Sequence, residues 1–213
     1  MRVISGIARG TKLIAPKTGT RPTSDRAKES IFNIIAEKIP DSNFLDIFAG
    51  SGSIGIEALS RRAKHAVFID NSQEAIKVIK KNLEKTKLSD RAMILDNISK
   101  IERQDAVPTK NNTLLQSTFV GATVPGRPFV PAMFDIIFLD PPFDKNLIEP
   151  TLDIIIDKKI LAPKGIIIIE KPTGLPEQTG DRGRSPVRYS PAPLQITQVR
   201  IYGRSSFVFL EEI

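Results

Sequence analysis

The sequence predicts an α/β fold in which a mostly parallel sheet carries helices on both faces. After Pro40, short apolar segments alternate with segments whose apolar residues have helical spacing. Strands this apolar along their whole length must be covered on both sides, which is typical of parallel sheets. The chain of 213 residues is long enough for one such domain with a small extension.

The first forty residues predict that extension. The segments "RVISGIA" and "TKLIAP" predict two short strands around a turn, a small β-hairpin. The segment "RPTSDRAKESIFNIIAEKI" predicts a helix, because Thr23, Ser24 and Asp25 are suitable N-caps and apolar residues follow at helical spacing. We therefore expect an extension over residues 1–40 and a second domain over residues 41–213.

The alternating part of the chain predicts five strands, the helices between them and a closing hairpin. The strands are "FLDIF", "AVFID", "AMILD", "FDIIFLD" and "GIIIIE". Helices are predicted over residues 53–63, through "SQEAIKVIKKNLEKT", and over residues 146–157. The tail "QITQVRIYGRSSFVFLEE" predicts two strands about a Tyr-Gly-Arg turn. Residues 104–133 and 171–194 are rich in Pro, Gly, Ser and Thr and predict long loops beside the site.

Composition excludes several classes of protein. The absence of cysteine excludes disulfides, thiolate catalysis and zinc–sulfur sites. The longest apolar runs are far too short to cross a bilayer, and the N-terminus lacks the apolar core of a signal peptide. A cytoplasmic protein fits this composition. We also expect a monomer that contacts neither a membrane nor a metal ion.

The positive charge is concentrated near the N-terminus. The net charge is +7, and residues 1–30 hold seven basic side chains against two acidic ones. A surface that binds nucleic acid requires such an excess, although a solvated basic surface explains it equally well. The residues predicted to contact RNA phosphates are Arg2, Arg9, Lys12, Arg21 and Arg26.

The stretch "DIFAGSGSIGIEALSRRA" predicts a cofactor site. Gly50, Gly52 and Gly55 form G-x-G-x-x-G between a strand and a helix. Such a turn lets the backbone approach a ligand and directs helix amides at it. Asp70 ends the next strand twenty residues after Gly50, where an acid binds ribose hydroxyls. The pattern indicates either a dinucleotide or S-adenosylmethionine.

Two further acids refine this prediction. Asp46 lies in the first strand, four residues before Gly50, where it would repel a pyrophosphate but help to bind the ammonium of S-adenosylmethionine. A helix-capping or buried hydrogen-bonding role is the alternative for Asp46. Asp96, with Asn97 beside it, follows the third strand and is placed to accept from an adenine amino group. An Asp in that position is also a common turn former.

The motif "DPPF" ends the fourth predicted strand. Its two prolines, Pro141 and Pro142, stiffen the backbone and remove two N–H donors, which leaves carbonyls free to accept. Together with the Asp140 carboxylate, a carbonyl can bind both hydrogens of a base amino group and turn its lone pair toward an electrophilic methyl group. Phe143 offers a face for base stacking, worth about 1–3 kcal/mol. These four residues are the predicted catalytic residues, and a rigid strand-ending turn is the alternative.

With both motifs identified, the chain resembles the class I S-adenosylmethionine-dependent methyltransferases, and more narrowly the RsmD family of bacterial 16S rRNA guanine-N2 methyltransferases. The resemblance rests on "RVISGIARGTKL", "RPTSDRAKESIFNII", "LDIFAGSGSIGIEALSRRA" and "FDIIFLDPPF". It implies a seven-stranded sheet of order 3-2-1-4-5-7-6 and a basic extension that binds 16S rRNA within an assembling small ribosomal subunit. It implies contact of Asp140 with the target amino group, stacking by Phe143, and cofactor contacts in a set formed by Asp46, Phe48, Gly50, Gly52, Asp70, Asn71, Asp96 and Asn97.

Three alternatives stay open at this point. The glycine turn also fits an NAD-dependent oxidoreductase, although Asp46 and the DPPF motif disfavour one. A non-catalytic RNA-binding module could retain the cofactor fold. A methyltransferase of this class could instead modify an adenine or cytosine amino group in DNA or another RNA, because the two long predicted loops depart from the family pattern beside the site.

Overall fold

A seven-stranded sheet organises the chain in a computed structural model that describes residues 1–17, 23–101, 133–142, 146–173 and 193–212. Its strands run in the order β3-β2-β1-β4-β5-β7-β6, which confirms the predicted order. Strands β1 to β5 are parallel, and β7 pairs antiparallel with both β5 and β6. The strand bounds are β1 Asn43–Ile47, β2 His65–Ile69, β3 Ala92–Leu95, β4 Phe134–Leu139, β5 Leu161–Pro172, β6 Leu194–Tyr202 and β7 Ser205–Glu212.

The α-helices begin at or near their predicted positions, and local chemistry explains where. They are α1 Asp25–Ile34, α2 Ser53–Ser60, α3 Gln73–Thr86 and α4 Ile148–Asp157. The Ser24 hydroxyl caps α1 and the Ser72 hydroxyl caps α3, because each accepts from a backbone N–H in the first turn. Within the part of the chain that the structure describes, no helix has the length and apolar character needed to span a membrane.

Side chains alternate between two apolar layers, one on each face of the sheet. Helices α1, α2 and α3 pack on the face that includes Phe44, Phe68 and Phe138. Helix α4 packs on the other face, with Leu45 and Leu139. Because successive side chains of a strand point to opposite faces, three acids lie on the face of α1 to α3: Asp46, Asp140 and Glu170.

The N-terminal extension is less regular than predicted. A single antiparallel bridge, between Arg2 and Lys12, stands where two short strands were expected. Backbone hydrogen bonds from Val3 to Thr11 and from Gly10 to Val3 join the two arms, and the Ile4 and Ser5 amides also donate to the Glu57 carboxylate on α2 at 2.7 and 2.9 Å. The extension is therefore a short antiparallel hairpin that also docks on α2.

A buried ion pair completes this contact. Lys28 Nζ on α1 lies 3.3 Å from Glu57 Oε2, and Arg61 Nε donates to Glu57 Oε1 at 2.8 Å. Lys28 also donates to the Arg2 carbonyl at 2.7 Å. Val3 of the extension belongs to the same apolar layer as the sheet. The division at residue 40 stays a prediction, and across it the two parts share a core.

Candidate active site

The glycine turn follows β1 and begins α2, as predicted. Phe48, Gly50 and Gly52 have φ angles of 64°, 54° and 74°, and Gly52 donates to the Ala49 carbonyl at 2.7 Å. A Cβ built on Gly50 meets nothing nearer than the Phe48 carbonyl oxygen at 4.0 Å. Gly50 therefore supplies a left-handed turn with open space beside it, where a ligand can approach the backbone.

The other two glycines face protein. A Cβ on Gly55 would lie 2.4 Å from Phe68 Cε1, so this glycine lets α2 pack closely on β2. A Cβ on Gly52 would lie 3.3 Å from both Phe68 and Ile79. Of the three motif glycines, the first is thus the one that leaves space for a ligand.

Two carboxylates hold this turn in shape. Asp70 Oδ2 accepts from the Gly50 amide at 2.8 Å, and its Oδ1 accepts from the Ser72 amide at 2.9 Å. Asp46 Oδ2 accepts from the Gly55 amide at 2.9 Å, and the residue is 2% exposed. Asp46 therefore has the helix-capping contact that the sequence left open, while its contact with an ammonium group stays a prediction.

Burial also changes the acidity of Asp46. Desolvation raises the pKa of Asp46 to about 8, the Gly55 hydrogen bond opposes this rise, and the charge of Asp70 adds to it. A cation placed nearby would favour the charged carboxylate and lower that pKa.

The end of β3 holds a second pair of predicted residues. The Asn97 side chain accepts from the Ser99 amide at 2.8 Å, so the turn after β3 is held by Asn97, whereas the sequence alternative gave that role to Asp96. Asp96 Oδ2 accepts from Lys100 Nζ at 2.9 Å. Asp96 Oδ1 lies 2.7 Å from the same nitrogen, yet it is shielded from solvent and makes no hydrogen bond with the described residues. Lys100 therefore pairs with both oxygens of Asp96, and the contact of Asp96 with an adenine amino group stays a prediction.

The Asp-Pro-Pro corner follows β4 beside the glycine turn. The Asp140 amide donates to the carbonyl of Ile47, the last residue of β1, at 3.3 Å. Asp140 and Pro142 are half-buried and Pro141 is buried. Burial raises the pKa of Asp140, and the charges of Glu170 and Asp46 raise it further.

Sequence reasoning missed Glu170, which ends the buried part of β5. Its Oε2 accepts from Thr23 Oγ1 at 2.6 Å and its Oε1 from Ser205 Oγ at 2.7 Å. Burial raises the pKa of Glu170, and the two hydroxyls oppose this rise. The available signal was an acid directly after four isoleucines, because a charge is rare in a strand buried on both faces. Among the described residues no group of three or more His, Asp or Glu forms a metal site.

Four of the five predicted RNA contacts lie among the described residues, and all four are exposed. Met1 Sδ lies 3.2 Å from Ser51 Oγ, so the chain begins beside the glycine turn, and Arg2 follows with an ion pair to Asp25 at 3.5 Å. Lys12 lies across the bridge from Arg2, and Arg26 is exposed in the first turn of α1. Arg9 is exposed in the turn near the far end of α2. Two predicted residues, Arg21 and Phe143, and most of both predicted loops lie outside the described residues.

The sheet order, the glycine turn and the acidic corner together define a class I methyltransferase, and the solved structures agree. The candidate methyltransferase yhhF of Escherichia coli superposes with a TM-score of 0.69 at 26% identity, covering all of this chain and 97% of that one. HI0767 of Haemophilus influenzae, a candidate methylase, gives a TM-score of 0.66 at 29% identity, covering 100% of this chain and 98% of that one.

Sequence comparisons define the family. The model of the family described as conserved hypothetical protein 95 matches residues 1–210. The chain is 36% identical over 182 residues to ribosomal RNA small subunit methyltransferase D of Haemophilus influenzae, covering 83% of each protein. It is 34% identical over 179 residues to the Escherichia coli protein of the same name, covering 83% of this chain and 78% of that one. The chain belongs to the RsmD family, and it is a methyltransferase.

Proposed function

We propose that this methyltransferase transfers a methyl group from S-adenosylmethionine to the exocyclic N2 amino group of a guanosine in 16S rRNA. The observation that carries the proposal is the position of the Asp140 corner, whose backbone is hydrogen-bonded to Ile47 at the start of the glycine turn. Donor and acceptor sites on adjacent strands suit direct transfer between two bound groups. The names of the curated relatives support a ribosomal RNA as the substrate.

S-adenosylmethionine fits the residues of the glycine turn. When bound, it supplies an electrophilic methyl group on a sulfonium. The open side of Gly50 leaves room for it, and each oxygen of Asp70 keeps a free acceptor position for ribose hydroxyls beyond its amide contact. Asp96 at the end of β3 is the proposed acceptor for the adenine amino group, with Lys100 paired to its carboxylate. The complete proposed set adds Asp46, Phe48, Gly52, Asn71 and Asn97.

The target base would occupy the corner made by the end of β4. Asp140 is half-buried, so a base can reach its carboxylate while most water is excluded. The carboxylate and a carbonyl freed by Pro141 and Pro142 would accept the two amino hydrogens. Phe143, the next residue, stays the predicted stacking partner. Alignment at close range contributes much of the rate, because the amino group itself is a weak nucleophile.

The basic extension would bind the phosphates around the target. Arg2, Lys12 and Arg26 are exposed, and the start of the chain lies beside the glycine turn. Arg9 lies toward the opposite edge and would contact RNA farther from the target, and Arg21 keeps its predicted role. Binding through phosphates should weaken steeply as salt rises. An assembling small subunit is the proposed form of the substrate.

The test uses the purified protein with small-subunit RNA that lacks this modification. Asp140→Ala should slow methyl transfer about a hundredfold or more, because the acceptor that orients the amino group is lost. Calorimetry should find nearly unchanged affinity for S-adenosylmethionine. Asp153→Ala, an exposed position on α4, is the matched control and should transfer at the wild-type rate.

Two results would count against the proposal. Loss of cofactor affinity in Asp140→Ala would move that residue from the target site to the cofactor site. Mass spectrometry of the digested RNA should identify N2-methylguanosine, and a methylated adenine or cytosine would reject the guanine target.

A further inference from the structure

Glu170 is a buried carboxylate that no cation compensates among the described residues. It is 4% exposed, and both of its oxygens accept from neutral hydroxyls, those of Thr23 and Ser205. A buried charge without an ion pair is unfavourable, because hydroxyls replace only part of its hydration. Such groups concentrate at functional sites, so a role in the reaction has to be considered.

The register of the sheet places this carboxylate beside the Asp-Pro-Pro corner. Leu139 of β4 pairs with Ile169 of β5, so Asp140 and Glu170 are the next residues on neighbouring parallel strands, about 4.8 Å apart. Both side chains belong to the face of the sheet that packs on α1 to α3. Glu170 is therefore the direct neighbour of the residue proposed to bind the amino group.

The charged groups around Asp140 are few among the described residues. Glu170 from β5 and Asp46 from β1 are those that act on it, and both are acids. The elements that contact Glu170 present hydroxyls: Thr23 just before α1 and Ser205 at the start of β7. Lys171 follows on β5 but belongs to the opposite face, where it interacts with Glu149.

We propose that Glu170 is a positioning residue of the transfer reaction, whose charge, fixed by Thr23 and Ser205, makes Asp140 the acceptor of the proton that the amino group loses. The inference rests on the proposed function. In the step, the amino lone pair forms the new N–C bond, and the methyl–sulfur bond breaks with its electron pair going to sulfur. One N–H bond then breaks, and its proton passes to the Asp140 carboxylate and from there to solvent.

The physical reason is electrostatic. A negative charge one strand away makes a carboxylate bind a proton more tightly, and the pKa of Asp140 is raised in part by Glu170. The two hydroxyl hydrogen bonds favour the charged form of Glu170, so the proton is directed to Asp140 instead. The same bonds tie the segment before α1 and the β6–β7 turn to the catalytic corner.

The test compares wild-type protein with Glu170→Gln, which keeps the size of the side chain and removes its charge. Single-turnover methyl transfer is measured from about pH 5 to pH 9 with the RNA substrate. The acid limb of the profile should move to lower pH by about one unit, because Asp140 loses a neighbouring negative charge. Affinity for S-adenosylmethionine, measured by calorimetry, should stay at the wild-type value.

Two further variants and one substrate-free measurement complete the design. Ser205→Ala should move the limb in the same direction but less, because it weakens the charged form of Glu170. Glu149→Gln removes a charge from the opposite face and should leave the profile in place. Carboxyl ¹³C NMR of Asp140 should find its titration displaced equally in Glu170→Gln without any RNA present.

The outcomes separate this inference from the proposed function. If wild-type protein transfers methyl groups and neither the profile nor the NMR titration moves in Glu170→Gln, the inference is overturned and the proposed function stands. If wild-type protein transfers none, the proposed function fails, and the NMR titration alone decides whether Glu170 controls Asp140.

Discussion

Two buried glutamates of this methyltransferase are stabilised in opposite ways. Glu57 on α2 is 0% exposed and contacts two cations, Lys28 and Arg61, as well as two backbone amides. Glu170 on β5 is almost equally buried but contacts only hydroxyls among the described residues, and its strand neighbour Asp140 is another acid. Within the part of the chain that the structure describes, cations compensate the first charge and none compensates the second.

This difference in charge compensation indicates which of the two glutamates stabilises the fold. Glu57 lies where the extension docks on α2, away from the carboxyl ends of the strands. A compensated charge of this kind fixes the positions of its partners, and removing it leaves them buried without a counterion. Glu170 lies at the carboxyl edge of the parallel strands, where ligands of such sheets bind. An uncompensated charge there is available to act on the reaction.

The largest expected effect comes from breaking the compensated site. Glu57→Ala should lower the free energy of unfolding by about 3–5 kcal/mol, because Lys28 stays buried without its partner and two amides lose their acceptor. Urea unfolding followed by circular dichroism measures this loss. Glu84→Ala, on the exposed face of α3, is the control and should differ from wild type by less than about 0.5 kcal/mol. A loss from Glu57→Ala as small as that of the control would show that the cluster does not stabilise the fold.

A second prediction separates docking from backbone conformation in the same extension. Gly6 and Gly10 have nearly equal φ angles of 83° and 84°. A Cβ on Gly6 would lie 1.9 Å from the Ser60 carbonyl oxygen, whereas one on Gly10 would meet nothing within 4 Å. Gly10→Ala should therefore cost about 1 kcal/mol for the left-handed backbone alone.

Gly6→Ala should cost about 2–4 kcal/mol, because the extension must also move off α2 to relieve the contact. Urea unfolding of both variants gives the comparison. Equal losses would mean that the close approach to Ser60 relaxes freely and that the extension is not tightly docked.

Much of the fold could be predicted because its signals are local. Apolar runs such as "FDIIFL" and the cap Ser24 depend on neighbouring residues, and the strands and helix that they predict are present. The docking of the N-terminal hairpin could not be predicted in this way. Amides of the hairpin also donate to Glu57 and Ser60, some fifty positions along the chain, and the local pattern gives no signal of those contacts.

In the candidate site, too, local motifs could be predicted, whereas contacts between distant residues could not. The glycine turn, Asp70 and the Asp-Pro-Pro corner are contiguous motifs, so their positions followed from the sequence. The hydrogen bonds of Glu170 join it to Thr23, which lies 147 positions earlier in the chain, and to Ser205, which lies 35 positions later. Only the folded sheet brings these groups together. A helix-capping role was one of two alternatives for Asp46 in the sequence. The folded turn identifies the Gly55 amide as the group that donates to Asp46.

The smallest expected effect is on the stability of Glu170→Gln. It tests whether the glutamate without a cation contributes less to the fold than Glu57 does. The raised pKa of Glu170 means that the folded state holds the proton more tightly than the unfolded chain does. The stability that this group contributes is therefore present below its ordinary pKa of 4.5 and is lost as pH rises through the raised value. Glutamine cannot ionise, so Glu170→Gln should gain stability relative to wild type as the pH rises from acid to neutral.

At neutral pH the two proteins should differ by less than about 1 kcal/mol, because the glutamine can still hydrogen-bond the hydroxyls of Thr23 and Ser205 and no buried cation is left unpaired. Urea unfolding at about pH 5 and about pH 7 gives both the size and the sign of the difference. A loss at neutral pH as large as that of Glu57→Ala would place Glu170 among the residues that fix the fold, and the contrast between the two glutamates would disappear.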